Sequence, residues 1–248
     1  MANTYEALLR AGEECRLTLP EKEPPTDVRM PGTGEEDARV TTLPIEDYGA
    51  LRQNIVTVCG PHKTKVLLFS GVMPKDGAST VLVNFARCLA AGGERVALVD
   101  GNLRNPALHN PLGAENTEGV SELLRRERDP AQLVKATRYK NISLVSAGAY
   151  WPGFSCPIEP GLIRAFIGYL RPMADWVLFD SSPINTCNDA VALSSEVDGV
   201  VLVVRAEKTR WEAAEHAAQK LKNAGGNIVG VVLNGRRMPI PGWIYRRL

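Results

Sequence analysis

From residue 65 onward the chain alternates short apolar runs with stretches of helical period. Runs dominated by Val, Leu and Ile at 65–70, 95–100, 142–146, 176–180, 199–205 and 228–233 predict six strands. Mixed segments at 79–91, 120–126, 130–135, 161–171, 189–195 and 210–224 predict the helices between them. The apolar runs are continuous instead of alternating, as expected of strands covered on both faces. Strand–helix alternation of this kind predicts an α/β fold: a mostly parallel sheet with helices on both sides.

The first 42 residues break the pattern. Residues 4–15 form an amphipathic helix candidate with Tyr5, Leu8 and Leu9 as its apolar stripe, within an N-terminal helical piece spanning 1–16. Residues 17–42 are rich in Pro, Glu, Thr and Gly, including Pro20, Pro24, Pro25 and Pro31, and read as a flexible linker. The folded domain is expected at 43–248, with no internal repeat.

Composition narrows the function classes. The chain has 248 residues, a size for one large α/β domain or two small ones, and a net charge of +1 offers no global field for nucleic acid. The N-terminus lacks a basic region before an apolar core, so it is not a signal peptide. Apolar runs such as 66–69 and 200–204 are too short to cross a bilayer. A cytoplasmic protein is expected, brought to a membrane only by a partner. The five cysteines (Cys15, Cys59, Cys88, Cys156, Cys187) show no paired or metal-ligand spacing and read as reduced thiols.

The first strand runs through SGVMPKDGAST, residues 70–80, directly into a helix. Strand, glycine-containing turn, Ser-Thr and helix start form the context of a phosphate-binding loop, in which backbone N–H groups and the helix N-terminus converge on an anion. A working loop carries lysine after Gly77; here that position is Ala78, while Ser79 keeps the hydroxyl that ligates Mg²⁺. The bland alternative is a strand–helix turn capped by Ser79. Two further strands end in aspartate, Asp100 in VDGNLRNP and Asp180 in VLFDSSP. The carboxyl edge of an open α/β sheet is where ligands bind. A lone strand-end Asp is usually a turn or cap residue. Two beside a phosphate loop point to a Mg²⁺ site formed with Ser79.

With these segments in place, the chain resembles the cytoplasmic domain of bacterial tyrosine kinases of the CpsD/CapB type, within the wider MinD/ParA-like P-loop class. The family pattern PGEGKST, DADLRRP, IIDTPP, DGVLLVV and GVVLNG has counterparts at 74–80, 100–106, 179–183, 198–204 and 230–235. The resemblance runs from Glu46 to the C-terminus, and the N-terminal TYEALLRAGEE also resembles a leader helix of such kinases. It implies a P-loop NTPase architecture, ATP or ADP with Mg²⁺ as cofactors, and a role in capsule and exopolysaccharide export. It assigns nucleotide contacts to Pro74, Lys75, Asp76, Gly77, Ala78, Ser79 and Thr80, metal contacts to Ser79, Asp100 and Asp180, and catalysis to Asp100 and Asp180. The partner it implies is a membrane polysaccharide co-polymerase of the Wzz type, recruiting the domain to the inner membrane, with self-association as a second possibility.

The departures fall on the chemistry. Lysine is replaced by Ala78, a loop glycine by Lys75, and the second carboxylate of DADLRRP by Asn102, which cannot act as a base or bring charge to a metal. The ring-forming pattern E-x2-R-x2-R appears as Glu46, Gly49 and Arg52, without its middle arginine. The tyrosine-rich tail is reduced to Tyr245, a candidate phosphoacceptor. That basic–aromatic tail, 236–248, suits an anionic membrane surface or a partner, or simply packs on its own domain. Phosphoryl transfer depends on positioning and charge stabilisation, and losing one preorganised charge contact costs about 3–4 kcal/mol. The resemblance therefore implies a degenerate kinase that binds nucleotide weakly with little or no turnover. Alternatives are an active autokinase using Lys75 as substitute cation, a scaffold with an empty site, and a MinD/ParA-like ATPase. The last lacks its early signature lysine, since Met73 stands there.

Overall fold

The computed structural model of the chain describes residues 45–60, 64–149 and 159–235. The N-terminal helix, the linker, Cys15, Cys156 and the tail with Tyr245 lie outside them. In chain order the elements are α1 Ile45–Cys59, β1 Lys65–Gly71, α2 Ala78–Ala91, β2 Val96–Asp100, α3 His109–Leu112, α4 Val120–Leu124 and α5 Pro130–Leu133. They continue with β3 Lys135–Ala136, β4 Ile142–Val145, α6 Pro160–Leu170, β5 Trp176–Ser181, α7 Asp189–Ser194, β6 Gly199–Arg205, α8 Trp211–Asn223 and β7 Ile228–Asn234.

One seven-stranded sheet runs in the order β3-β4-β2-β5-β1-β6-β7, parallel except where β3 meets β4. The alternation of strand and helix thus folds as expected. Successive residues of β1 face opposite sides: Val66 and Leu68 enter one apolar cluster with α6, α7 and α8, and Leu67 and Phe69 enter the other with α1 and α2. This double burial explains the unbroken apolar runs. Strand β7 is the exception, with Val231 44% and Leu233 51% exposed, because it is an edge of the sheet.

Helices α1 and α3 were not among the elements expected from the apolar pattern, and two expected helices end early. The helix expected at 130–135 stops at Leu133, where Val134 turns extended, and Lys135 joins the sheet edge. The Lys135 ammonium donates to the carbonyls of Glu115 and Glu118 and to the Ser146 hydroxyl, anchoring that segment against β4. Helix α4 ends at Leu124, short of residue 126, where Arg126 takes a left-handed φ of 59°. No helix among the described residues is long and apolar enough to cross a membrane.

Candidate functional site

The carboxyl ends of β1, β2 and β5 bring the sequence-predicted residues to one edge of the sheet. β5 lies between β1 and β2, so the loop after β1, Asp180 and Asp100 become neighbours although 80 residues separate the two acids. In register, Asp100 pairs with Asp180.

The loop after β1 turns through two left-handed residues, Lys75 (φ 71°) and Gly77 (φ 91°). Lys75 stands where the family pattern has glycine, a conformation that costs an L-residue about 1–2 kcal/mol. Gly77 is the N-cap of α2 and makes no side-chain cap bond. A Cβ at Gly77 would collide with the side-chain nitrogen of Asn234, so close approach and φ both require glycine. Ser79 is therefore not the cap. Its hydroxyl donates instead to Asp180 Oδ2 at 2.5 Å. Pro74, Lys75 and Thr80 are exposed, whereas Asp76 is buried and Ala78 packs into the apolar cluster around α2.

The two strand-end acids have different surroundings. Both are fully buried. Asp100 Oδ1 accepts the Asn102 N–H at 3.2 Å, and Oδ2 accepts the N–H groups of Ala107 and Leu108, each at 3.1 Å. In this arrangement the Asp100 carboxylate closes the loop after β2. Asp180 has one oxygen on Ser79, and its Oδ1 is buried without a hydrogen-bond partner. Among the described residues no ion pair reaches either acid. Burial pushes the Asp180 carboxyl up to about 8, helped by the nearby Asp100 charge and opposed by the Ser79 bond. Burial also raises Asp100, against the three N–H groups that favour its charged form. Asn102 is buried, its Oδ1 accepting the Ser182 hydroxyl at 3.0 Å and the Asn105 N–H at 3.3 Å. It is held as part of the loop scaffold.

Ser79 and Asp180 fit Mg²⁺: both offer hard oxygen donors, and Asp180 Oδ1 lacks a partner. Asp100 has three N–H groups on its carboxylate and keeps a lone pair on Oδ1 that could still meet a cation. Among the described residues no group of three or more His, Cys, Asp or Glu is placed to hold a metal alone.

Sequence reasoning missed the residues behind the loop: Arg205 at the end of β6, Thr209 after it, and Asn234 at the end of β7. Their position at or just beyond carboxyl strand ends was the signal available. On α1, Arg52 donates to the Glu94 carboxylate, and an added Cβ at Gly49 would meet nothing within 4 Å. Cys59, Cys88 and Cys187 are free thiols.

No family model matches the chain. The candidate tyrosine-protein kinase CapB of Staphylococcus aureus is 30% identical over 195 residues, covering 79% of this chain and 85% of CapB. Tyrosine-protein kinase YwqD of Bacillus subtilis is 28% identical over 197 residues, covering 79% and 83%. Among solved structures, the kinase domain of the Escherichia coli tyrosine kinase ETK superposes with a TM-score of 0.72 at 24% identity, covering 79% of this chain and 78% of that one. The likeness to ETK is one of fold.

Proposed function

The chain belongs to the family of bacterial tyrosine kinases, and from that membership we propose that it is a degenerate kinase acting as a regulator of capsule or exopolysaccharide synthesis and export. It binds ATP or ADP weakly and has little or no kinase activity. The observation that supports this reading is the Ser79–Asp180 hydrogen bond, which joins the two residues that would hold the metal, while the loop position beside it is the buried methyl of Ala78.

The site's chemistry follows from what remains. N–H groups of the loop and of the first turn of α2 bind the phosphates, aided by the positive end of the helix. Ser79 and Asp180 are the residues that would hold Mg²⁺, whose charge neutralises phosphate oxygens. With no ammonium at residue 78 and an amide at Asn102, the chain lacks two of the charged groups that transfer of a phosphoryl to tyrosine relies on. Binding tolerates such losses better than turnover, because turnover needs each charge where negative charge develops. Partnership with a membrane co-polymerase of the Wzz type, and recruitment to the inner membrane through it, complete the proposal.

The test uses purified protein. With Mg-ATP, anti-phosphotyrosine detection should show no signal above a boiled control, while Mg-ADP should raise the melting temperature, since a ligand bound only to the folded state stabilises it. Robust autophosphorylation, or no thermal shift at millimolar nucleotide, would each refute the reading.

A further inference from the structure

Resting on the nucleotide-binding reading above, we propose that Arg205, Thr209 and Asn234 are positioning residues. They clamp the phosphate loop from behind in its anion-accepting shape, so that it takes a nucleoside diphosphate on backbone N–H groups without a lysine. Five hydrogen bonds make up the clamp and its tie to the sheet. The Arg205 guanidinium donates to the Lys75 carbonyl at 3.1 Å. The Asn234 side-chain amide donates to the Asp76 carbonyl at 2.8 Å. Asp76, 3% exposed, accepts the Thr209 hydroxyl on Oδ1 and the Met73 N–H on Oδ2, both at 2.8 Å. Thr209 in turn accepts the Arg205 N–H at 3.0 Å, which ties the clamp to the end of β6.

These bonds fix the direction of the loop's donors. A trans peptide carries its N–H opposite its C=O. Holding the Asp76 carbonyl on Asn234 therefore aims the Gly77 N–H to the other side, away from β7. Gly77 and the next residues, Ala78, Ser79 and Thr80, supply the orphan N–H donors of a 14-residue helix. A second observation points to a ligand there: Asp180, bonded to Ser79 in that same first turn, keeps a buried oxygen without a partner. Lys75 and Gly77 both have left-handed φ, and the bonds that hold that shape come from the other edge of the sheet. A diphosphate is the group these N–H donors suit, because loop and helix N-terminal N–H groups together favour an anion.

The test combines three variants with two readouts. Amide hydrogen exchange across residues 73–80 is followed without ligand, and ADP affinity is measured in EDTA. Thr209→Val and Arg205→Met should each raise loop exchange about tenfold and weaken ADP about tenfold, while amides of β1 and β5 keep their protection. Thr209→Ser, which retains the hydroxyl, should restore both. Unchanged loop exchange in both disruptive variants overturns the clamp even if ADP still binds. If the unmodified protein binds no ADP, the nucleotide reading falls and loop exchange alone decides the clamp. Should Thr209→Val unfold the domain, the same two readouts are taken from Arg205→Met, whose side chain bonds only the loop surface.

Discussion

Asp100 and Asp180 occupy partner positions on adjacent parallel strands, both fully buried, yet only Asp180 retains an unpartnered oxygen. Two acids at equivalent strand ends thus have different roles. Asp100 is engaged by three backbone N–H groups, and Asp180 faces Ser79.

The first prediction concerns pH. Asp180 titrates near 8 in the folded protein and near ~3.9 when unfolded. Between those values the folded state holds a proton that the unfolded state releases, so this group's contribution to stability is complete below about pH 4 and is lost as pH rises through about 8. Each pKa unit corresponds to about 1.4 kcal/mol. Urea unfolding at pH 5, 7 and 9 should show falling stability in the native protein and a flatter profile in Asp180→Asn. Mg-ADP affinity should move the opposite way, strengthening as pH rises through 8, because the metal needs the ionised carboxylate.

A second prediction separates the two acids. Asp100→Ala leaves three N–H groups of the loop after β2 without their acceptor. It should destabilise the fold by about 3 kcal/mol in urea denaturation. Asp180→Ala removes an electrostatically unfavourable group and should cost less. Equal losses would contradict the division of labour between them.

Ser79→Ala provides a third. Removing the hydroxyl should abolish the gain in ADP affinity produced by Mg²⁺ while leaving the affinity in EDTA within about twofold, since the backbone donors remain. Titration calorimetry with and without the metal reads both values.

The fourth restores charge. Ala78→Lys should tighten Mg-ATP binding about tenfold, and combining it with Asn102→Asp should raise autophosphorylation more than either change alone, because the two groups act on one reacting phosphate. Ala78 packs into an apolar cluster, so the lysine must lead its stem out along the loop. A double variant with no phosphotyrosine would place the defect elsewhere.

The fifth tests self-association. Gly49 faces open space, and Arg52 is engaged by Glu94. Gly49→Arg is sterically free and should shift light-scattering mass upward if the remaining surface of α1 still suits a second copy. The unmodified chain should remain monomeric.

The sequence alone determined the order of strands and helices, the two-sided burial of the central strands, and the residues at the strand ends, because apolar runs and chain punctuation are local properties. The exposed face of β7 and the short strand at Lys135 were not legible, since edge position and the anchoring of one ammonium depend on neighbours distant in sequence. The substitutions Ala78 and Asn102 were visible by inspection. Tertiary structure alone decided that Asp100 closes a loop while Asp180 meets Ser79, and that Arg205, Thr209 and Asn234 stand behind the phosphate loop. Strand order explains this. With β5 between β1 and β2, and β6 and β7 beyond β1, residues over 100 positions apart come within hydrogen-bond reach, and the different partners that two equally buried carboxylates then find set them apart.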